Sequence, residues 1–163
     1  MRLPIHPVTR PQALQGQTNG RIDPELIVEV PGRHGGATVR LIDPAARAWV
    51  ALVHAAEEAG HYLKVGWPTA SYRPHEDQVR LFVDRYTPHR LWAPGRKKWN
   101  GRWWSKKKGV AAAAVPGTSN HGWGLAVDIG EERDGDGGTE SLDPVTLAWL
   151  AKNAHRFGWS WEV

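Results

Sequence analysis

The segment SNHGWGLAVD, residues 119–128, concentrates side chains that could bind a metal ion. If residues 124–129 are extended, side-chain alternation places three branched aliphatic residues on one face and Asp128, flanked by small residues, on the other. The glycines on either side of Trp123 would let the backbone turn so that His121 lies over that second face. A neutral imidazole and a carboxylate are ordinary zinc ligands, so the segment predicts a metal site.

The spacing by itself leaves a second interpretation open. A histidine and an aspartate seven residues apart also fit a capped turn in which the aspartate is solvated. A catalytic zinc generally takes three protein ligands and keeps one position for water. Residues His121 and Asp128 would supply two of the three.

The same segment matches the SxHxxGxAxD signature of zinc D-Ala-D-Ala carboxypeptidases and L-alanyl-D-glutamate endopeptidases at every fixed position. Those positions are Ser119, His121, Gly124, Ala126 and Asp128. The chain therefore resembles this family of metallopeptidases. The resemblance implies that His121 and Asp128 bind Zn²⁺ and that Ser119 lies at the substrate.

Other parts of the chain extend the resemblance. The turn SYRP at residues 71–74, followed by Gln78, resembles the family's SxYRS-type turn and helix, while GQTNG at 16–20 and PGTSNHG at 116–122 resemble phage endolysin peptidase domains. By this resemblance, Arg73 and Gln78 contact the substrate peptide. A fixed cation near the scissile carbonyl stabilises a developing oxyanion or holds a substrate carboxylate. A surface ion pair at a helix start is the alternative for Arg73.

The family also uses a histidine as third ligand and a glutamate as general base, in an ExxH-like segment after the last helix. No such segment is present in this sequence, which ends at Trp161-Glu162-Val163 and is expected to be truncated relative to the family. The missing groups could belong to a longer chain, to a second chain or to a histidine elsewhere. His155 suits the C-terminal dipole of the last helix instead, and Glu162 could act as the base only if the chain folds back.

The composition excludes several classes of protein. The chain has 163 residues and no cysteine, so disulfide frameworks, thiolate metal clusters and cysteine nucleophiles are excluded, and one domain spanning 1–163 is expected. No run of about 18 apolar residues indicates a membrane span, and the N-terminus MRLPIHPVTRPQ lacks the apolar stretch of a secretory signal. These features predict a protein with no membrane partner that is cytoplasmic until released, and the resemblance implies that it then acts on the cell wall.

Residues 85–108 hold nine Lys and Arg, no Asp or Glu, and four of the ten tryptophans. They show no clear period, which predicts a basic, Trp-rich loop over residues 85–110 with at most one hairpin. Three interpretations stay open: contact with the cell wall, a solvated loop anchored by buried tryptophans, or a groove for single-stranded nucleic acid. We favour wall contact because of the neighbouring peptidase motif.

The remaining pattern predicts the elements that position these residues. We expect a hairpin formed by residues 26–30 and 37–41, and three helices at 45–59, 74–84 and 143–157. Two further short strands are expected at 61–65 and 124–129, and a polar loop at 131–140. These elements predict a single α+β domain. A small, mainly antiparallel sheet would carry His121 and Asp128 on its open face, with the helices packed around it.

The resemblance implies zinc-dependent hydrolysis of a peptide bond in the peptidoglycan stem, most similar to an endolysin L-Ala-D-Glu endopeptidase. A D-Ala-D-Ala carboxypeptidase is the nearest alternative, because it shares the metal site but trims a chain end. A non-catalytic wall-binding module is a further alternative. It would bind cell walls without releasing new amino groups.

Overall fold

A computed structural model of the chain describes residues 10–88, 93–130 and 142–160. The predicted polar loop at 131–140 and Glu162 lie outside the described residues. The helices and strands, in chain order, are β1 Ile27–Val30, β2 Val39–Ile42, α1 Asp43–Glu58, α2 His75–Arg85, β3 Tyr86–Pro88, β4 Lys97–Trp99, β5 Arg102–Lys106 and α3 Pro144–Asn153. These three helices and small antiparallel sheets confirm the predicted α+β class. No described helix is long and apolar enough to cross a membrane.

Helix α1 forms the centre of the main core. Its apolar residues recur at helical spacing, so Trp49, Leu52, Val53 and Ala56 share one face, and all four are buried. Strand β2 and Leu150 of helix α3 belong to the same buried cluster. Full burial of each large aliphatic side chain contributes about 1.5–3 kcal/mol, so this cluster supplies much of the stability that holds the site in place.

The strands form two sheets rather than one. Strands β1 and β2 pair antiparallel with Ile27 opposite Ile42, which confirms the predicted hairpin. Strands β3, β5 and β4 form a second, three-stranded sheet from the basic segment, most of which the sequence predicts to be a loop. The expected hairpin is β4–β5, where Asn100 and Gly101 both adopt positive φ, as favoured hairpin turns require. Strands of three to five residues are too short to show a period.

A second, smaller core fastens this sheet to helix α2. Phe82 and Tyr86 stack with ring centroids 4.6 Å apart, and Trp99 and Trp104 contact Phe82 edge-on at 5.3 Å and 5.5 Å. Ala113 completes the buried cluster. Two tryptophans of the basic segment are therefore anchors, as one of the three interpretations expects.

Residues 124–129 do not form a strand, which corrects the prediction that the site lies on an open sheet face. A 3₁₀ helix, Asn120–Trp123, precedes them and ends at Gly124, whose φ of 63° lies in the left-handed region that favours glycine. The N–H of Asp128 donates to the carbonyl of Ala70 at 2.7 Å. The segment thus bonds to the end of a short 3₁₀ helix, Pro68–Ala70, which offers no regular ladder.

The predicted strand at 61–65 is likewise not a strand in the described structure. Val65 forms one isolated parallel bridge, with Gly130, and its carbonyl accepts from the N–H of Ala37 at 2.7 Å. These single bonds hold the end of the Asp128 segment beside the connection between β1 and β2.

Candidate metal and substrate site

His121 is held in a short 3₁₀ helix that is capped at both ends. The hydroxyl of Ser119 accepts from the backbone N–H of His121 at 3.3 Å, and Gly124 closes the C-terminal end. Within this turn, a Cβ on Gly122 would collide with the side chains of Asn19 and Gln78. Glycine is needed here because two side chains occupy the space where any other residue would put its own.

A buried polar network supports the turn from below. The amide of Asn19 donates to the Ser119 carbonyl at 2.7 Å and accepts from Nε2 of Gln78 at 3.1 Å. Gln78 Nε2 also donates to the Arg73 carbonyl at 3.0 Å, while its Oε1 accepts from Gly117 N–H at 2.9 Å. Gln78 thus joins the histidine turn to the arginine turn. Its amide atoms are all used inside the protein, and it is 4% exposed.

The second turn, Ser71 to Arg73, lies directly against the first. Ser71 is fully buried and its hydroxyl accepts from the N–H of Arg40 on strand β2 at 2.9 Å. The backbone N–H of Arg73 donates to the carbonyl of His121 at 3.0 Å. The two motifs that the sequence places 50 residues apart therefore form one unit.

The His121 imidazole has a defined tautomer. Its Nδ1 lies 2.9 Å from the carbonyl oxygen of Ser71, and a carbonyl can only accept, so Nδ1 carries the proton. The other ring nitrogen, Nε2, lies 3.3 Å from Oδ1 of Asp128. In the neutral ring both of these atoms are acceptors. Both lone pairs are therefore placed to bind a metal ion between them.

The pair has the separation expected of zinc ligands. With bonds of about 2.0–2.2 Å, two ligands of a tetrahedral zinc lie about 3.4 Å apart. The 3.3 Å between Nε2 and Oδ1 matches this value. A carbonyl that accepts from the non-ligating ring nitrogen is also the usual outer partner of a metal-binding histidine. The donor set and its support therefore fit zinc.

Asp128 is ionised in this setting. Burial raises the pKa of its carboxyl, but the hydrogen bond and charge of His121, and then those of Arg73, outweigh burial and hold the pKa below its ordinary value. Arg73 Nη2 lies 3.2 Å from Oδ2 of Asp128. One carboxylate thus contacts the histidine through one oxygen and the arginine through the other.

Arg73 is largely buried, with 11% of its side chain exposed. Burial lowers the pKa of its guanidinium, and the charge of Asp128 offsets part of that effect. Its Nε donates to the carbonyl of Thr69 at 3.1 Å and its Nη2 to Asp128, while no acceptor for Nη1 is found in the described part of the chain. A charged donor is therefore available beside His121 and Asp128, which we call the metal pair.

These residues open onto a cleft of about 1100 Å³. Arg73, Ser119, His121 and Asp128 belong to its lining, together with Arg85, Lys107 and the residues 111–114. A cleft of this size accommodates several residues of an extended peptide.

The structure thus brings together most of the residues singled out in the sequence, in two different ways. Arg73, Ser119, His121 and Asp128 line the cleft, whereas Gln78 lies beneath it. Among the described residues, no group of three His, Cys, Asp or Glu side chains could hold a metal. Two supporting roles were missed: the Ser71 carbonyl and the Asn19 amide. Both residues lie in quoted motifs, but a backbone acceptor leaves no signal in side-chain identity.

The geometry defines an α+β domain with a His–Asp pair at a peptide-sized cleft, and comparison with known proteins gives its family. The family model VanY, D-alanyl-D-alanine carboxypeptidase, matches residues 38–162, which is more than half of the chain. The chain belongs to this family, which confirms the resemblance to zinc D-Ala-D-Ala carboxypeptidases.

One similar solved structure is a mutant of the vancomycin-resistance D,D-pentapeptidase VanY from a VanB-type resistance cassette, in complex with Zn(II). It is 24% identical, with a TM-score of 0.48, over 81% of this chain and 64% of that chain. The present chain thus spans less than two thirds of that protein. No curated protein sequence matches this chain.

Proposed function

We propose that this protein is a zinc-dependent peptidase of the peptidoglycan stem peptide. The activity that we place first is that of a D-Ala-D-Ala carboxypeptidase. The observation that carries the proposal is the His121–Asp128 pair. Nε2 and Oδ1 face each other 3.3 Å apart, a separation that suits two ligands of one zinc ion, and the Ser71 carbonyl presents the histidine in the ligating tautomer. The family match supports the substrate class, and the Zn(II) in the similar VanY structure agrees with the expected metal.

His121 Nε2 and Asp128 Oδ1 would hold the zinc. Bound zinc supplies Lewis acidity, which polarises a substrate carbonyl and makes water a better nucleophile at neutral pH. Ser71 fixes the imidazole ring, so the ligand atom needs no reorientation before binding.

Arg73 would act on the substrate oxygen. Its guanidinium is anchored by Thr69 and Asp128, which leaves Nη1 as a donor toward the cleft. A donor preorganised by two anchors stabilises negative charge on a carbonyl oxygen more in the transition state than in the ground state. The same group could hold the terminal carboxylate of a D-Ala-D-Ala substrate.

The size of the cleft supports a second candidate, an endolysin-type L-Ala-D-Glu endopeptidase. An endopeptidase must accommodate the chain on both sides of the scissile bond, whereas a carboxypeptidase needs one closed end. The cleft has a volume of about 1100 Å³ and includes Arg85 and Lys107 in its lining as well as the His121–Asp128 pair, which provides room for a longer peptide.

The products separate the two activities. The full chain, loaded with zinc, is incubated with purified peptidoglycan and with a soluble stem pentapeptide, and mass spectrometry identifies the new ends. Free D-alanine from the pentapeptide establishes the carboxypeptidase, and new N-terminal D-glutamate establishes the endopeptidase. His121→Ala should abolish either product, while His54→Ala, an exposed histidine on helix α1, should change neither. Absence of both products from the zinc-loaded chain would overturn the proposal.

A further inference from the structure

The cations of the basic segment fall into two sets with different roles. In the first set, lysine ammonium groups donate to backbone carbonyls: Lys97 Nζ to Ala113 at 2.6 Å and Lys107 Nζ to Asp84 at 2.6 Å. These bonds tie the three-stranded sheet to helix α2 and to Ala113 in the lining of the cleft. The ammonium groups of Lys97 and Lys107 therefore stabilise the fold through these hydrogen bonds.

The second set lies on the opposite face of the sheet. Lys98 of strand β4 is directly opposite Trp103 of strand β5, so both side chains project from the same face. The guanidinium of Arg96 lies 4.0 Å from the centre of the Trp103 ring. Trp103 is 40% exposed, unlike its neighbour Trp104, which packs on Phe82. We call Arg96, Lys98 and Trp103 the outer sheet patch.

The patch is suited to an anionic ligand. The sequence has no Asp or Glu between Asp84 and Asp128, and within the described ranges neither Arg96 nor Lys98 has a carboxylate partner. Ion pairs among the described residues occur elsewhere, on helices α1 and α2 and at the metal pair. An anion at the patch would meet two cations and no local repulsion.

We infer that the outer sheet patch binds the glycan strand of peptidoglycan, with a sugar ring against the exposed part of Trp103 and stem-peptide carboxylates at Arg96 and Lys98. This inference rests on the proposed function for the choice of polymer. The apolar C–H face of a sugar packs on an indole ring, and the carboxylates complement the cations.

Two observations favour this ligand over single-stranded nucleic acid. Nucleic-acid grooves stack successive bases on several aromatic rings, whereas Trp103 is the exposed tryptophan of this sheet and Trp99 and Trp104 pack on Phe82. In addition, Lys107, which follows strand β5, lines the cleft that holds the metal pair. The basic segment that carries the patch therefore also contributes to the lining of the cleft.

The test is cosedimentation of the full chain with insoluble peptidoglycan for a few minutes at 4 °C, with cleavage of the soluble pentapeptide measured in parallel. Trp103→Ala should weaken binding about fivefold to tenfold, and Lys98→Ala about twofold. Matched controls are Tyr62→Ala, which removes an exposed aromatic outside the patch, and Lys152→Ala on helix α3. Trp103→Phe should recover most of the binding, which separates a lost contact from a misfolded sheet.

The outcomes distinguish this inference from the proposed function. Weaker wall binding by the patch variants, with pentapeptide cleavage unchanged, supports both. If no variant or parent cleaves the pentapeptide but Trp103→Ala still loses wall binding, the patch stands and the peptidase proposal fails. The inference would be overturned if Trp103→Ala and Tyr62→Ala bound the wall equally. It would also be overturned if single-stranded DNA, equimolar to the protein, released the protein from the wall.

Discussion

The carbonyl oxygen of Ser71 lies 2.9 Å from Nδ1 of His121, and this hydrogen bond decides which ring nitrogen of the histidine is available for a ligand. Because Nδ1 keeps its proton to donate to the carbonyl, the lone pair is on Nε2, which faces Asp128 at 3.3 Å. A backbone atom from one motif thus sets the chemistry of a side chain in the other.

Zinc content tests the ligand pair directly. Protein purified in the presence of zinc should contain close to one zinc per chain, and both His121→Ala and Asp128→Ala should lose it, because each removes one of the two described ligands. Metal analysis after gel filtration gives the ratio. The exposed His54→Ala variant should keep its zinc, and zinc retained by His121→Ala would contradict the assignment.

Replacing Arg73 should lower turnover even when the charge is kept. In Arg73→Lys a single ammonium cannot reproduce the separate bonds from Nε to Thr69 and from Nη2 to Asp128, so the donor is no longer fixed. We expect kcat/KM on the stem pentapeptide to fall by about 10²–10³-fold, with zinc content unchanged. Arg47→Lys, at an exposed position on helix α1, is the matched control and should have parent-like activity.

Gln78 is expected to act as a positioning residue through its buried amide. Gln78→Ala leaves the Asn19 and Arg73 acceptors and the Gly117 donor without a partner, so we expect unfolding free energy to fall by about 2–3 kcal/mol in urea titrations. The surface variant Gln15→Ala should stay within about 0.5 kcal/mol.

A second Gln78 variant separates positioning from stability. Gln78→Glu would place carboxylate oxygens against the two acceptors that Nε2 now serves. It should weaken zinc affinity at a temperature where the protein stays folded, because the His121 and Arg73 turns would move apart. Zinc affinity equal to that of the parent would show that Gln78 supports the fold alone.

Helix α3 should make stability depend on pH through its N-cap. Asp143 accepts from the N–H groups of Val145 and Thr146, and hydrogen bonds from Thr146, first from its hydroxyl and then from its backbone, lower the Asp143 pKa. A lowered folded-state pKa means that the stabilisation is complete above the unfolded value near 3.8 and is lost as the pH falls through the folded value.

Melting curves between pH 2 and pH 7 check this sign. At pH 7, Asp143→Ala should melt about 2–4 °C below the parent, and the difference should shrink toward pH 2. Asp143→Asn keeps a capping oxygen without a titrating group, so its deficit should be smaller and vary less over this range. A melting-temperature difference between Asp143→Ala and the parent that grows as the pH falls would contradict the assignment of Asp143 as the titrating N-cap.

Helices were the most predictable part of the fold, because each is encoded by neighbouring residues. The buried face of Trp49, Leu52 and Val53 follows from spacing alone, and Asp143 caps helix α3 as its sequence position predicts. The sheet at β3–β5 was predicted as a loop apart from one hairpin. Its short strands are held by packing on Phe82, which lies on helix α2. A pattern among neighbouring residues cannot predict this contact between distant parts of the sequence.

The sequence by itself determined the chemistry of the site: the identities of Arg73, His121 and Asp128, and the family to which they belong. Tertiary structure alone decided how those groups meet. The Ser71 carbonyl selects the tautomer, and Asn19 and Gln78 join the two turns through buried hydrogen bonds. Side-chain types are written in the sequence, but a hydrogen bond between distant backbone and side-chain atoms exists only once the chain has folded and excluded water from them.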